Sequence, residues 1–191
     1  MISDASSLAF NPKSNLPTIA GHAYGNFDVN LMLSTYDGSK WNTKIISWLD
    51  AVEESLKFNS KGEPCISFTT LGWTNHPSSQ YYYNPSLSSP DKTIPVENGS
   101  SYLGSNSLAI DKNDSPCISY CDYTEQLIKY AKRVDDIWQI EIVDIGPKSM
   151  ISRYGGLTSL ILEQQTDKPF ITYFSGNKSI KLATKVGNEW K

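Results

Sequence analysis

Short apolar runs separated by polar turns recur along the whole chain, and the clearest stretch lies between Leu108 and Val143. Leu108 to Asp111 predicts a first strand, a. Lys112-Asn113-Asp114-Ser115 then supplies residues that tolerate a tight turn. Pro116 to Asp122 predicts strand b, with proline at the first position, where its missing N–H costs least. Leu127 to Lys132 predicts strand c, Val134-Asp135-Asp136 a turn, and Trp138 to Val143 strand d. Along d, Trp138, Ile140 and Ile142 share one face and Gln139 and Glu141 the other, which is the alternation of a half-buried strand. Helical periodicity is nearly absent: its nearest candidate is the short run Asp50 to Leu56.

The same arrangement occurs four times. Ser7-Leu8, Ser55-Leu56, Ser107-Leu108 and Ser159-Leu160 are each followed by a proline two residues ahead of an isoleucine: Pro17, Pro64, Pro116 and Pro169. The four leucines stand 48, 52 and 52 residues apart, and Trp41, Trp138 and Trp190 recur late in three repeats. Four short antiparallel strands returning every ~50 residues make a β-propeller blade, a unit that buries its faces only against its neighbours. The expected fold is therefore all-β, a propeller or propeller fragment with repeats 1–54, 55–106, 107–158 and 159–191. In the second repeat Tyr81-Tyr82-Tyr83 stands in for strand c, and no tryptophan precedes strand d. The fourth repeat reaches Lys191 where strand d should begin, so it is expected to lack its outer strand. An open sheet edge and apolar terminal faces recruit partners. Self-association is expected, as a two-fold dimer or a larger ring.

The third repeat, through Asp111, Pro116, Tyr120, Asp122, Tyr130, Ala131 and Trp138, resembles bacterial propeller repeats of the sialidase-like superfamily, and its spacing is similar to that of propeller lectins. The segment Thr35-Tyr36-Asp37-Gly38-Ser39-Lys40-Trp41 resembles the Asp-box of that superfamily, one residue short. The resemblance implies a hairpin that stabilises the fold, not an active site.

Charge narrows the choice of partner. With 17 Lys+Arg against 20 Asp+Glu and a net charge of -3, the chain has no electrostatic footprint for nucleic acid. Its densest group of cations, Lys129 to Arg133, reads as a solvated strand edge. No apolar stretch is long enough for a helical membrane span, and the Met-Ile-Ser-Asp-Ala start lacks the features of a secretory signal. Cys65 and Cys117 occupy a position that other repeats fill with Thr18 and Phe170. They are expected to pack as small hydrophobes, with Cys121 also unbridged, which favours a reducing compartment.

Catalytic constellations are scarce. A sialidase grips its substrate carboxylate with three arginines, and this chain has two, Arg133 and Arg153. His22 and His76 are the only histidines, and neither sits in a nucleophile or zinc motif. Asp111-Lys112-Asn113-Asp114 faintly resembles a calcium loop but reads as turn chemistry. Asp28, Asp122 and Glu125 lie near b–c loops, with nothing in the sequence to pair them for glycoside hydrolysis. No metal and no cofactor is expected.

The b–c loops are the richer set. The first carries His22, Tyr24, Asn26 and Asp28, the second Trp73, Asn75 and His76, the third Asp122 and Tyr123. Aromatic plates beside short polar groups suit a sugar, whose C–H face stacks while its hydroxyls are bonded. These nine residues are the candidate ligand site of a non-catalytic module that binds a saccharide. The alternatives are a protein-interaction propeller and a non-catalytic part of a larger enzyme.

Overall fold

The computed structural model describes residues 6–24, 29–70, 78–90, 92–97, 102–146, 158–174 and 179–191. They form sixteen strands in four sheets of four, each an antiparallel meander in chain order, and include no helix. Each sheet is a propeller blade.

The chain divides into two compact units, Met1–Asn98 and Gly99–Lys191. The first holds blade 1, with β1 (Ser6–Phe10), β2 (Pro17–Tyr24), β3 (Val29–Tyr36) and β4 (Trp41–Ser47). It also holds blade 2, with β5 (Ala51–Phe58), β6 (Pro64–Thr70), β7 (Gln80–Tyr83) and β8 (Thr93–Glu97). The second unit holds blade 3, with β9 (Leu103–Ile110), β10 (Pro116–Asp122), β11 (Leu127–Val134) and β12 (Ile137–Ile145). Its blade 4 comprises β13 (Thr158–Leu162), β14 (Pro169–Phe174), β15 (Ile180–Val186) and β16 (Glu189–Trp190).

Every strand b opens on its proline, registered against the last residue of strand a. Between them lies a turn that the sequence repeats in disguise. Asn11, Asn59 and Asp111, each three residues past the repeated leucine, accept N–H bonds from the turn through Oδ1. Each turn then needs one residue in the left-handed region, supplied by Asn15, Gly62, Asp114 and Asp167. The Asp111 carboxylate caps its own turn and pairs with Lys132 at 2.8 Å, so the faint calcium-loop pattern is turn chemistry. The Asp37 hairpin is built the same way. Asp37 accepts from the Lys40 and Ser39 N–H groups and from the Asn42 amide, and these bonds hold its carboxyl below the usual range.

The repeated serine has a role of its own. Ser7 Oγ accepts the N–H of Leu56 at 2.9 Å, and Ser107 Oγ accepts the N–H of Leu160 at 3.0 Å. In each case the serine of one blade holds the innermost strand of the next. Apolar packing follows that alignment. Ala20, Leu31 and Leu33 of blade 1 meet Leu56, Ile66 and Phe68 of blade 2. Cys117, Ile128 and Tyr130 of blade 3 meet Leu160, Ile171 and Tyr173 of blade 4.

Several expectations need correction. Blade 4 does have an outer strand, the two-residue β16, held to β15 by paired bonds between Thr184 and Lys191. Strands β5 and β9 begin at Ala51 and Leu103, ahead of the serine-leucine pair, and β5 takes in most of Asp50 to Leu56, the run nearest to a helical period. On β12 the apolar face is not the covered one: Ile142 is 59% exposed, while Glu141 is half-buried. The reason is that Glu141 faces blade 4, where the Trp190 Nε1–H and the Lys185 ammonium both need an acceptor. Lys129 is not solvated either: it is buried in an ion pair with Asp122. Tyr81-Tyr82-Tyr83 does form strand c of blade 2.

Cys65, Cys117 and Cys121 are buried, and none forms a disulfide. Burial pushes the Cys65 thiol up and the Cys117 thiol up to about 11, from 9.0. Above pH 9 the unfolded chain ionises Cys117 while the folded chain still holds the proton, so the unfolded state gains. Stability is therefore expected to fall as pH rises from 9 towards 11, and denaturation midpoints across that range measure it. Thiol reagent at pH 8 should find no fast-reacting group in the native protein and three after denaturation.

Candidate functional site

The b–c ends are where the sequence places its candidates, and the structure divides them into three groups. Asn26, Asp28, Trp73, Asn75 and His76 lie outside the described residues. Tyr24 ends β2, and its side chain is likewise outside them. His22, Asp122 and Tyr123 are described: His22 belongs to the first unit, the other two to the second.

His22 is 5% exposed and its Nδ1 lies 2.8 Å from Oε1 of Glu54, itself 7% exposed. Glu54 gets there through a β-bulge. Glu53 and Glu54 together oppose Phe68, and Glu53 takes the left-handed conformation at φ 57. Strand β9 has the same device, with Ser105 at φ 52. A bulge re-aims the side chain that follows it, and here it turns an acid inward onto the histidine. The pair is sealed within the first unit.

Asp122 is committed to the fold of its own loop. Its Oδ1 accepts the N–H groups of Thr124 and Glu125, and its Oδ2 meets Lys129 Nζ at 2.9 Å, with both side chains at most 8% exposed. Tyr123 packs against the core of the second unit, and its N–H is bonded to the Tyr102 carbonyl.

The open polar group is one the sequence did not single out. A cleft of about 300 Å³ lies between blades 3 and 4, lined by Val143, Asp144, Tyr173, Lys181, Ala183 and Trp190 among others. Asp144 Oδ2 accepts the Tyr173 hydroxyl at 2.6 Å and meets Lys181 Nζ at 2.8 Å, while Oδ1 accepts the Ile145 N–H. The Asp144 side chain is 32% exposed and that of Lys181 51%. Burial works against ionisation of Asp144, but the Lys181 ammonium and the Tyr173 hydroxyl outweigh it and hold the carboxyl below its usual range. Burial and the adjacent Asp144 charge push the Tyr173 phenol up. Trp190 is fixed by its bond to Glu141 and by an edge contact with Tyr130 at 5.2 Å between centroids.

Asp144 also owes its direction to a bulge. Register slips by one residue at Val143, so that Asp144 opposes Ile128 and shares the face that meets blade 4. The same slip occurs in β4 and β8. Strict alternation in sequence does not reveal it. The only signal is an acid just past the predicted end of strand d. Among the described residues no cluster of histidine, cysteine and acidic side chains could hold a metal ion.

No protein-family model matches the sequence, and no curated protein matches it. Solved structures do. AofleA from Arthrobotrys oligospora, as a triple arginine-to-alanine mutant, aligns with a TM-score of 0.63 at 11% identity over 99% of this chain and 55% of its own. A thermostable family-43 glycoside hydrolase aligns with a TM-score of 0.61 at 11% identity over 99% of this chain and 74% of its own. A fucose lectin from Kordia zhangzhouensis, in complex with methyl-fucoside, aligns with a TM-score of 0.50 at 14% identity over 72% of this chain and 97% of its own. These similarities establish the β-propeller fold.

The Asp122–Lys129 and Asp144–Lys181 pairs predict unequal mutational costs. Lys129→Met leaves Asp122 buried and unpaired and should cost about 3 kcal/mol. Lys181→Met breaks a half-exposed, screened pair and should cost less than about 1 kcal/mol. Urea midpoints of the two variants check the contrast, and equal costs would contradict it.

Proposed function

We propose that this chain is a non-catalytic saccharide-binding module that takes its ligands at the b–c ends of its blades. The observation that carries the reading is the cleft beside Asp144. A carboxylate, an ammonium and a phenol stand partly open to solvent next to an indole, whereas the His22–Glu54 and Asp122–Lys129 pairs are sealed. Carboxylate and ammonium suit vicinal hydroxyls, and an aromatic wall suits the apolar face of a pyranose. In the first unit, Tyr24, Asn26, Asp28, Trp73, Asn75 and His76 are proposed to serve a separate contact of the same kind, with Tyr123 flanking the b–c end of blade 3.

The neighbouring folds support this reading, since they include both a lectin in complex with methyl-fucoside and a glycoside hydrolase. A fold that hosts both leaves the decision to the site. A general acid needs a raised carboxyl pKa. Asp144 has the reverse, held ionised by Lys181. The Asp37 hairpin further supports kinship with sialidase-like repeats.

Calorimetry with ligands chosen from a glycan array tests the proposal. The wild type should bind at least one neutral saccharide. Asp144→Ala should weaken second-unit binding at least tenfold, and Trp73→Ala should do the same for the first unit, with urea midpoints nearly unchanged. Absence of any bound glycan, or turnover of aryl glycosides by the wild type, would overturn it.

A further inference from the structure

Trp190 lines the Asp144 cleft from the shortest strand among the described residues. β16 has two residues, registered against Lys185 and Val186. The torsion that turns an indole about its own stem has only a broad preference. So short a strand leaves the plane of the ring to be set by side chains, and three of them meet it. The indole Nε1–H donates to Glu141 Oε2 at 2.9 Å, Tyr130 makes an edge contact with 63° between the planes, and the Lys185 ammonium lies 5.6 Å from the ring centroid.

Glu141 joins all three. Its Oε1 meets Lys185 Nζ at 2.6 Å, and its registered partner across the strands is Tyr130. One carboxylate of blade 3 therefore holds the donor edge of the ring and the cation beside it. An indole has one donor and no acceptor, so no other bond on the ring can replace this one. Glu141 does not line the cleft, so any effect it has there passes through Trp190.

The first unit lacks both halves of the device. Glu141 stands two places ahead of the bulge in β12, and the same place in β4 is taken by Lys44, which is exposed. The blade that follows β4 has no tryptophan in its outer strand β8. Acid and indole thus occur together in the second unit and are absent together from the first.

We infer that Glu141 is a positioning residue of the Asp144 cleft, setting the plane of the indole against which a saccharide packs. Its role in recognition rests on the proposed saccharide binding; its hold on the ring does not.

Three variants of the intact chain separate positioning from stability. Glu141→Gln gives up the charge but keeps a carbonyl oxygen for the indole. Glu141→Leu gives up both. Lys185→Met breaks the same ion pair from the other side and leaves Glu141 to the indole. The Lys185 and Glu141 side chains are 27% and 35% exposed, so the three changes are compatible with folding and should shift urea midpoints by similar small amounts.

The Trp190 Nε1–H resonance, assigned through Trp190→Phe, is followed first, with no saccharide present. It should exchange with solvent about tenfold faster in Glu141→Leu than in the wild type, and within about threefold of the wild type in the other two. Calorimetry with methyl hexosides and the array-selected neutral saccharide comes second. The binding that Asp144→Ala weakens should weaken about tenfold in Glu141→Leu and stay within about threefold in Glu141→Gln and Lys185→Met. Unchanged indole exchange in Glu141→Leu, or unchanged affinity, would overturn the inference and leave saccharide binding standing. So would a Lys185→Met variant that loses as much affinity as Glu141→Leu, because the ion pair and not the indole would then carry the effect. A wild type that binds no saccharide would overturn the proposed function and the role of Glu141 in recognition with it; faster indole exchange in Glu141→Leu would then mark the acid as a part of the seam alone.

Discussion

The innermost strand of a blade has one hydrogen-bonding edge with no partner in its own sheet, and the architecture depends on how that edge is closed. Among the described residues serine hydroxyls close it, Ser7 on the Leu56 N–H, Ser107 on the Leu160 N–H and Ser105 on the Thr158 N–H. The net gain from such a bond is only about 1 kcal/mol, but a buried N–H left without an acceptor costs about 1–3 kcal/mol. The serine also fixes the height at which one blade meets the next. Once that is set, Leu56 and Leu160 fall into the apolar layers between blades, each worth about 1.5–3 kcal/mol of burial. Serine and leucine are adjacent in sequence, the serine Oγ accepting from the blade that follows and the leucine N–H donating to the blade before.

Polar chemistry is then distributed by bulges. Slips at Glu53 and Val143 turn Glu54 and Asp144 onto faces that strict alternation would deny them. The two acids end differently because their surroundings differ. Glu54 meets a histidine inside an apolar layer, whereas Asp144 meets Lys181 and Tyr173 at the rim of a cleft. A buried pair of this kind is expensive to break and contributes little to recognition. The Asp144–Lys181 pair stays partly open to solvent.

Much of the fold was legible in the sequence because its signals are local and repeated. Proline at the start of strand b, the turn residues three places past each leucine, and the serine-leucine pair each act within a few residues. The site was less legible. Asp122 and His22 looked available because they stand in b–c loops rich in aromatics, yet Lys129 and Glu54 reach them from other strands. Lys129 lies seven residues from Asp122, across the b–c turn, and Glu54 lies 32 residues from His22, in the next blade. The polarity of β12 was misread for a related reason. The isoleucines follow the period of two, but which face is covered is decided by Trp190 and Lys185 of the next blade. Periodicity marks two faces and leaves open which one a neighbour will cover.

The serine closure is the claim on which the rest stands, and amide hydrogen exchange tests it most directly. In Ser107→Ala the Leu160 amide should exchange about tenfold faster than in the wild type, the equivalent of about 1.4 kcal/mol of lost protection. In Ser7→Ala the Leu56 amide should do the same, and the amides of β3 and β11 should change little in either variant. Unchanged protection at Leu56 and Leu160 would mean that apolar packing alone aligns the blades and that the repeated serine is incidental.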